Sequence, residues 1–215
     1  MFKKYFENSF AESKDLATKV LVDYTLGTPK YGADKSVELT AMDFEKDFIT
    51  DFLPSMIYTF MYEKKDVEAI GKTTFIDRVP LLLCCTNKNG YLTGINFNFI
   101  PNDVRAAFLD EIYFAYKDFY QNTLSDAVTS GTSTFNSELA SFLIDDETRK
   151  AFFKLMDAKL SFPISSAYRM YDKSKIRNPR MIEFDVWKYI PCLVFKDAIR
   201  GANLVDIQRE IIANK

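Results

Sequence analysis

The sequence predicts an α+β fold, a small antiparallel sheet of about three to five strands packed with several helices. Three observations carry that expectation. Two apolar runs, "RVPLLLCCT" and "YLTGINFNFI", are joined by Asn87-Lys88-Asn89-Gly90, and Asn-Gly tolerates the positive φ angles that a tight hairpin turn demands. The second run passes through Pro101 directly into a helical pattern. A chain of 215 residues with 47% hydrophobic and 15% aromatic content can also bury a full core.

Taken in order, residues 1–52 form an N-terminal helical region. Phe2, Phe6, Phe10, Leu16, Val20 and Tyr24 recur at three- to four-residue steps, and Gly27-Thr28-Pro29 ends the helix. It is either a core helix or an extended arm that packs on another subunit. Residues 53–122 hold the antiparallel sheet and its packed helix. "SMIYTFMYEKK" reads as a strand, and the polar stretch from Glu63 to Gly71 reads as the loop after it. In the returning strand, Ile95, Phe97 and Phe99 alternate with Asn96 and Asn98, predicting one face in the core and one in water or against a partner. Gly94 forms a hairpin pair with Gly90. Pro101 ends the strand, Asn102 or Asp103 caps the helix, and Val104, Ala107, Phe108, Ile112, Ala115 and Phe119 form its apolar stripe.

Residues 123–215 form a helical region whose basic segment returns to the sheet. After a Ser/Thr-rich stretch, a helix runs from the Asp145-Asp146-Glu147 start, with Phe152, Leu155, Met156 and Leu160 on one side, to Pro163. A short helix is expected over Ser165 to Tyr171. Trp187 is read as a large core residue, with an exposed, partner-gripping aromatic as the rival. Leu204, Ile207 and Ile211, continued by Ile212, make an amphipathic stripe assigned to assembly contacts.

Composition narrows the function. The chain has no histidine, which excludes Ser-His-Asp, Cys-His and zinc-histidine sites. It has no phosphate-binding GxxxxGK[ST] loop. The acidic triplet at Asp145 suits the positive end of a helix dipole better than a metal. Cys84, Cys85 and Cys192 sit in apolar runs, as reduced core residues do. No catalyst, cofactor or metal site is therefore expected. "MFKKYFENSFAESKDL" lacks the apolar stretch of a signal peptide, and no run reaches the ~18 apolar residues of a membrane span, so a cytoplasmic origin and no membrane partner are expected.

Charge is polarised along the chain. Residues 1–148 carry 14 basic and 23 acidic side chains, a formal charge of −9, whereas 149–215 carry 14 and 7, a charge of +7. The basic part is densest in "RMYDKSKIRNPRMIEF", with Arg169, Lys173, Lys175, Arg177 and Arg180. Two readings compete for these five. One is an edge that answers the acidic part of a neighbouring copy. The other is contact with nucleic-acid phosphates.

The course "MIYTFMYEKK", "DRVPLLLCC", "GYLTGINFNFIPNDVRAAFLDEIY" and "RMIEFDVWKYIPCLVFKDAIRGANLVDIQREI" resembles a family of tailed-bacteriophage virion proteins described as DNA end protector or neck proteins. The likeness lies at Pro80, Gly90-Tyr91-Leu92, Gly94-Ile95-Asn96, Pro101 and Arg105-Ala106. It continues at Trp187, Pro191, Phe195 and Gly201-Ala202, so that it covers about half of the chain. Absent histidine and abundant Phe, Asn and Lys suit an AT-rich phage genome such as those of the crAss-like group. The resemblance implies a virion protein at the head–tail junction: a homo-oligomeric ring or connector touching the portal or other connector and tail proteins, with the packaged DNA end as a further contact. It departs from the family pattern at Phe97-Asn98-Phe99-Ile100, just before Pro101, and in the Ser/Thr-rich stretch.

Overall fold

The computed structural model describes residues 52–63, 67–112, 145–182, 187, 190–191 and 199–214. The helix expected at the N-terminus, the Ser/Thr-rich stretch, the residues past 112 of the helix expected after Pro101, and Cys192 lie outside the described residues. The fold is α+β. Its strands are β1 (Ile57–Tyr62), β2 (Glu68–Ile70), β3 (Thr73–Asp77), β4 (Leu81–Lys88), β5 (Tyr91–Asn96), β6 (Tyr168–Asp172), β7 (Ile176–Ile182) and β8 (Ile199–Arg200). Three helices accompany them: α1 (residues 102–112), α2 (Asp146–Leu160) and α3 (Leu204–Ala213).

Five strands pair antiparallel in the order β6-β5-β4-β1-β7, and three more in the order β2-β3-β8. The large sheet cannot be flat. Its edges β6 and β7 are consecutive in the chain, joined only by the 3-10 turn Lys173–Lys175. Flat strands about 4.8 Å apart would hold the two edges ~19 Å from each other. The four Cα steps from Asp172 to Ile176 reach at most ~14 Å, and far less when coiled as a 3-10 turn. The sheet therefore curls into a small open barrel. Four antiparallel steps separate β6 from β7, so the two point the same way and the turn is a kink in one continuing strand.

Hydrogen bonds fasten that kink to both sides of the barrel end. Lys173 N donates to Gly90 O at 2.9 Å, and Glu63 N donates to Lys175 O at 2.9 Å. Asp172 N donates to the Tyr62 hydroxyl at 3.1 Å.

Strand alternation sorts the side chains into two cores. Tyr58, Phe60, Tyr62, Leu82, Cys84, Leu92, Tyr171 and Ile176 fill the concave interior, with no residue of α1, α2 or α3 among the described members. Tyr171 stands edge-on to Phe60 and Tyr62, with ring centres 5.2 and 5.0 Å away. On the convex side Ile57, Leu81, Leu83, Cys85 and Ile95 pack with Phe108 and Ile112 of α1, Phe153 and Met156 of α2, and Ile207 and Ile211 of α3. Both segments on either side of residue 122 thus contribute to one convex core. Trp187 is fully buried there and donates Nε1–H to Ile182 O at 3.0 Å.

Several expectations change. Part of the stretch read as a loop after β1 is a strand: β2 lies within it and turns at Gly71, with φ +57°, into β3. The strand expected to run to Ile100 stops at Asn96, whose side chain accepts from Asn98 N at 3.0 Å and caps a 3-10 turn over Phe97–Phe99. Asn96 and Asn98 are consequently buried instead of facing water. Pro101 ends this turn, not the strand, and its carbonyl accepts the first α1 bond from Arg105 N at 2.8 Å, while Asn102 already lies inside the helix. The helix expected over 165–171 is a 3-10 turn, Ile164–Ala167, followed by β6. In α2 the buried face is Arg149, Phe153 and Met156, and Leu155 is 60% exposed.

The Asn89-Gly90 turn follows the sequence reading, with φ +53° and +80°. Gly94 is required for another reason. A Cβ there would collide with the backbone carbonyl of Leu83, because a register shift between Cys84 and Thr86 presses β4 onto β5.

Candidate functional site: the basic end of the barrel

The five cations of the basic run divide into two groups. Lys173, Lys175 and Arg177 stand together on the kink and the first residues of β7. Exposed Lys88 joins them from the tip of the β4–β5 hairpin, since Gly90 is bonded to Lys173. Tyr91, 43% exposed, follows that tip, and Met61, 37% exposed, pairs with Arg177. The opposing charges are few. Glu63 lies 3.1 Å from Arg177 Nη2. Asp172 is held below the usual carboxylate range by hydrogen bonds from the Ser174 hydroxyl and amide. Lys173 Nζ donates to Asn87 Oδ1 at 2.9 Å, which fixes its stem without neutralising its charge. Arg177 Nη1 also donates to Ser174 O at 2.8 Å and to Ile176 O at 3.0 Å, which orients the exposed guanidinium, and the exposed Glu63–Arg177 ion pair contributes at most about 1 kcal/mol.

Arg169 and Arg180 are committed elsewhere. Arg169 on β6 stacks on the Phe99 ring, 4.3 Å from its centre, and donates from Nη1 to Ser166 O and Tyr168 O. Its Nε lies 3.7 Å from Glu68. Arg180 is buried on β7 opposite Thr59. These two arginines hold the fold and do not extend the surface patch.

The apolar stripe assigned to assembly is also turned inward. Ile207 is fully buried and Ile211 2% exposed in the chain's own core, whereas Leu204 is only half-buried. Packing against the 3-10 turn at Phe97 and the small sheet uses that stripe within the chain. What α3 leaves exposed is Val205, at 48%, and Ile212, at 51%.

Three buried polar groups escaped the sequence reading. Asp77 at the end of β3, Asn96 at the end of β5 and Tyr171 on β6 close a ring of hydrogen bonds. The Tyr171 hydroxyl donates to Asp77 Oδ2 at 2.6 Å, and Asn96 Nδ2 donates to the same oxygen and to the Tyr171 oxygen, each at 2.9 Å. Burial pushes the Asp77 carboxyl up to about 7, against the opposing effect of the Tyr171 bond. The Tyr171 phenol is likewise pushed well up by burial and by Asp77. A fourth missed residue is Arg105. It is buried on α1 and donates Nε–H to Ile100 O at 2.7 Å, clamping the turn that leads into the helix. The signal available in the sequence was polar residues inside apolar runs. Asparagines alternating with phenylalanines imitate a strand with a wet face, and that resemblance hid them.

Among the described residues no group of three His, Cys, Asp or Glu side chains is placed to hold a metal ion. Asp145 accepts the Thr148 amide at 2.7 Å as the α2 cap, and Asp146 pairs with Arg149. Cys85 is buried and its thiol is pushed up to about 12 by burial, which leaves it un-ionised and inert. No helix among the described residues is long and apolar enough to cross a membrane. Compared with protein-family models, curated proteins and solved structures, the chain matches none.

Proposed function

We propose that this chain is a structural component of a tailed-phage virion at the head–tail junction, a connector, ring or DNA-end-capping element that acts through protein–protein contacts. Its neighbours on this reading are copies of itself in a ring, the portal and other connector or tail proteins. One observation carries the reading beyond sequence likeness: Lys173, Lys175 and Arg177 are gathered with Lys88 on two turns bonded to each other, beside exposed Tyr91 and Met61. An exposed end of mixed charged and aromatic character is suited to a macromolecular partner. The first 148 residues carry a formal −9, a charge opposite in sign to this end and able to attract it from a neighbouring copy. Residues of the family-like course support the same reading. Gly90, Gly94, Asn96, Pro101 and Arg105 form one hairpin-turn-helix unit that sets the position of this end.

A second reading rests on the same residues. Lys88, Lys173, Lys175 and Arg177 on adjoining turns, next to an exposed tyrosine, also suit the phosphates of a nucleic acid. The combined charge reversal Lys173→Glu, Lys175→Glu and Arg177→Glu separates the two. On the assembly reading it leaves the fold intact and blocks self-association and incorporation into particles, while wild-type protein shows negligible duplex affinity at low salt. Duplex binding by wild type that weakens steeply with salt and vanishes in the variant would replace that reading with the second.

A further inference from the structure

The Asp77–Asn96–Tyr171 ring lies where the chain crosses from the small sheet to the barrel. Asp77 is the last residue of β3, and Arg78-Val79-Pro80 leads at once into β4. The ring therefore ties three elements together: β3 of the small sheet and the adjoining barrel strands β5 and β6. All three side chains are buried, and Asp77 and Asn96 are fully so. Yet the carboxyl is only half satisfied. Oδ2 accepts from Tyr171 and Asn96, whereas Oδ1 accepts no hydrogen bond among the described residues. A buried carboxylate left with a bare oxygen is costly, and a proton on that oxygen removes most of the cost.

The surrounding charges do not remove the need for that proton. Glu68 on β2 faces the site and disfavours a second negative charge. Arg169 on β6 favours it, but its guanidinium is shared between the Phe99 ring, two backbone carbonyls and Glu68. Tyr171, also on β6, donates to Oδ2, and Asn96 on β5 is neutral. On β8, Ile199 pairs with Asp77 and brings no charge. Other contacts also hold the β2–β3 hairpin: β3 pairs with β8 at Ile76–Arg200 and Asp77–Ile199, Glu68 lies 3.7 Å from Arg169, and Phe75 is buried in the main core. Phe75 stacks on Phe99 with ring centres 5.3 Å apart, and Lys72 N reaches Glu210 of α3 at 3.3 Å.

We infer that Asp77 is a proton-operated latch, closed with a proton on Oδ1 and released when that proton passes to solvent, and that its release frees the β2–β3 hairpin from the barrel edge. The open hairpin exposes Asp77 to water, where its carboxyl ionises in the ordinary range near pH 4, whereas in the closed state it holds its proton to about pH 7. Opening is thus linked to loss of one proton. Its equilibrium constant rises about tenfold per pH unit between those limits and levels off above them. This device is independent of the partner assigned to the basic end.

The test is amide exchange followed residue by residue on the full chain from pH 5 to pH 8, expressed as protection factors so that intrinsic exchange cancels. In wild type, the β2–β3 amides should be less protected than those of β4–β5 at every pH. Their protection should fall about tenfold per pH unit up to about pH 7. In Asp77→Asn that pH dependence disappears. In Tyr171→Phe, which removes the donor to Oδ2 without removing the carboxyl, the plateau moves to higher pH. Protection of β2–β3 that is flat with pH in wild type overturns the latch. So do protection factors shared by β2–β3 and β4–β5 throughout, because the hairpin would then open only with the whole molecule. A Tyr171→Phe plateau unchanged from wild type also overturns it.

Discussion

Gly90 and Gly94 sit in the same hairpin and need glycine for different reasons, which makes them a sensitive residue-scale comparison. Gly90 has φ +80° and open space around the position of a Cβ, so Gly90→Ala meets backbone strain alone and should cost about 1 kcal/mol. At Gly94 the added carbon would overlap the Leu83 carbonyl, and β4 and β5 would have to separate. Gly94→Ala should therefore cost more, about 3 kcal/mol or above, with reduced soluble yield. Urea denaturation of the two variants ranks them, and equal losses would contradict the close approach of β4 to β5. Asp77 gives a second expectation at this scale. Its folded carboxyl titrates near 7 against an ordinary value near 4, so the folded state holds a proton that the unfolded state releases. Stability is then greatest at or below about pH 4, declines as pH rises towards 7 and is flat above, by up to roughly 4 kcal/mol in total. The urea midpoint of wild type should follow that slope, and Asp77→Asn should lose this component of it.

Among the elements, α3 separates packing from contact most clearly. Ile207 and Ile211 are core residues, so Ile207→Ala should cost about 2–4 kcal/mol, whereas Ile212→Ser on the exposed face should change stability by less than about 0.5 kcal/mol. Thermal unfolding of the two variants checks both numbers. The helix was legible because Asn203 precedes a stripe at helical spacing, and its side chain does accept from Val205 N. Its partner was not legible, since an apolar stripe looks the same whether it meets another subunit or its own sheet. The β4–β5 hairpin and the entry into α1 were readable for a related reason: Asn-Gly and Pro fix backbone angles locally, without reference to the rest of the chain. By contrast, "EAI" and "TTFID" are too short and too polar to announce strands. They form a hairpin through contacts distant in sequence: Phe75 with Phe99, Asp77 with Asn96 and Tyr171, and β3 with β8.

Taken as a whole molecule, the closure of the barrel was the least visible feature. The basic segment was expected to return to the sheet, and it does. That it supplies both edges depends on pairings of β6 with β5 and of β7 with β1, between segments more than seventy residues apart in sequence. This closure is also what divides the basic run, turning Arg169 and Arg180 towards the fold and leaving Lys173, Lys175 and Arg177 on the kink beside Lys88. The assembly reading then makes an electrostatic claim. Contacts between a basic end and an acidic neighbour weaken as the screening length falls from about 10 Å at 0.1 M salt to about 3 Å at 1 M. The most direct test is the mass of the purified protein by light scattering, at low and high salt, alone and with a short DNA duplex. The account predicts a discrete multiple of the 24.9 kDa chain at low salt that dissociates at high salt, is unchanged by the duplex and is absent in the Lys173→Glu, Lys175→Glu, Arg177→Glu variant. A monomer at every concentration and salt that takes up the duplex at low salt would contradict it.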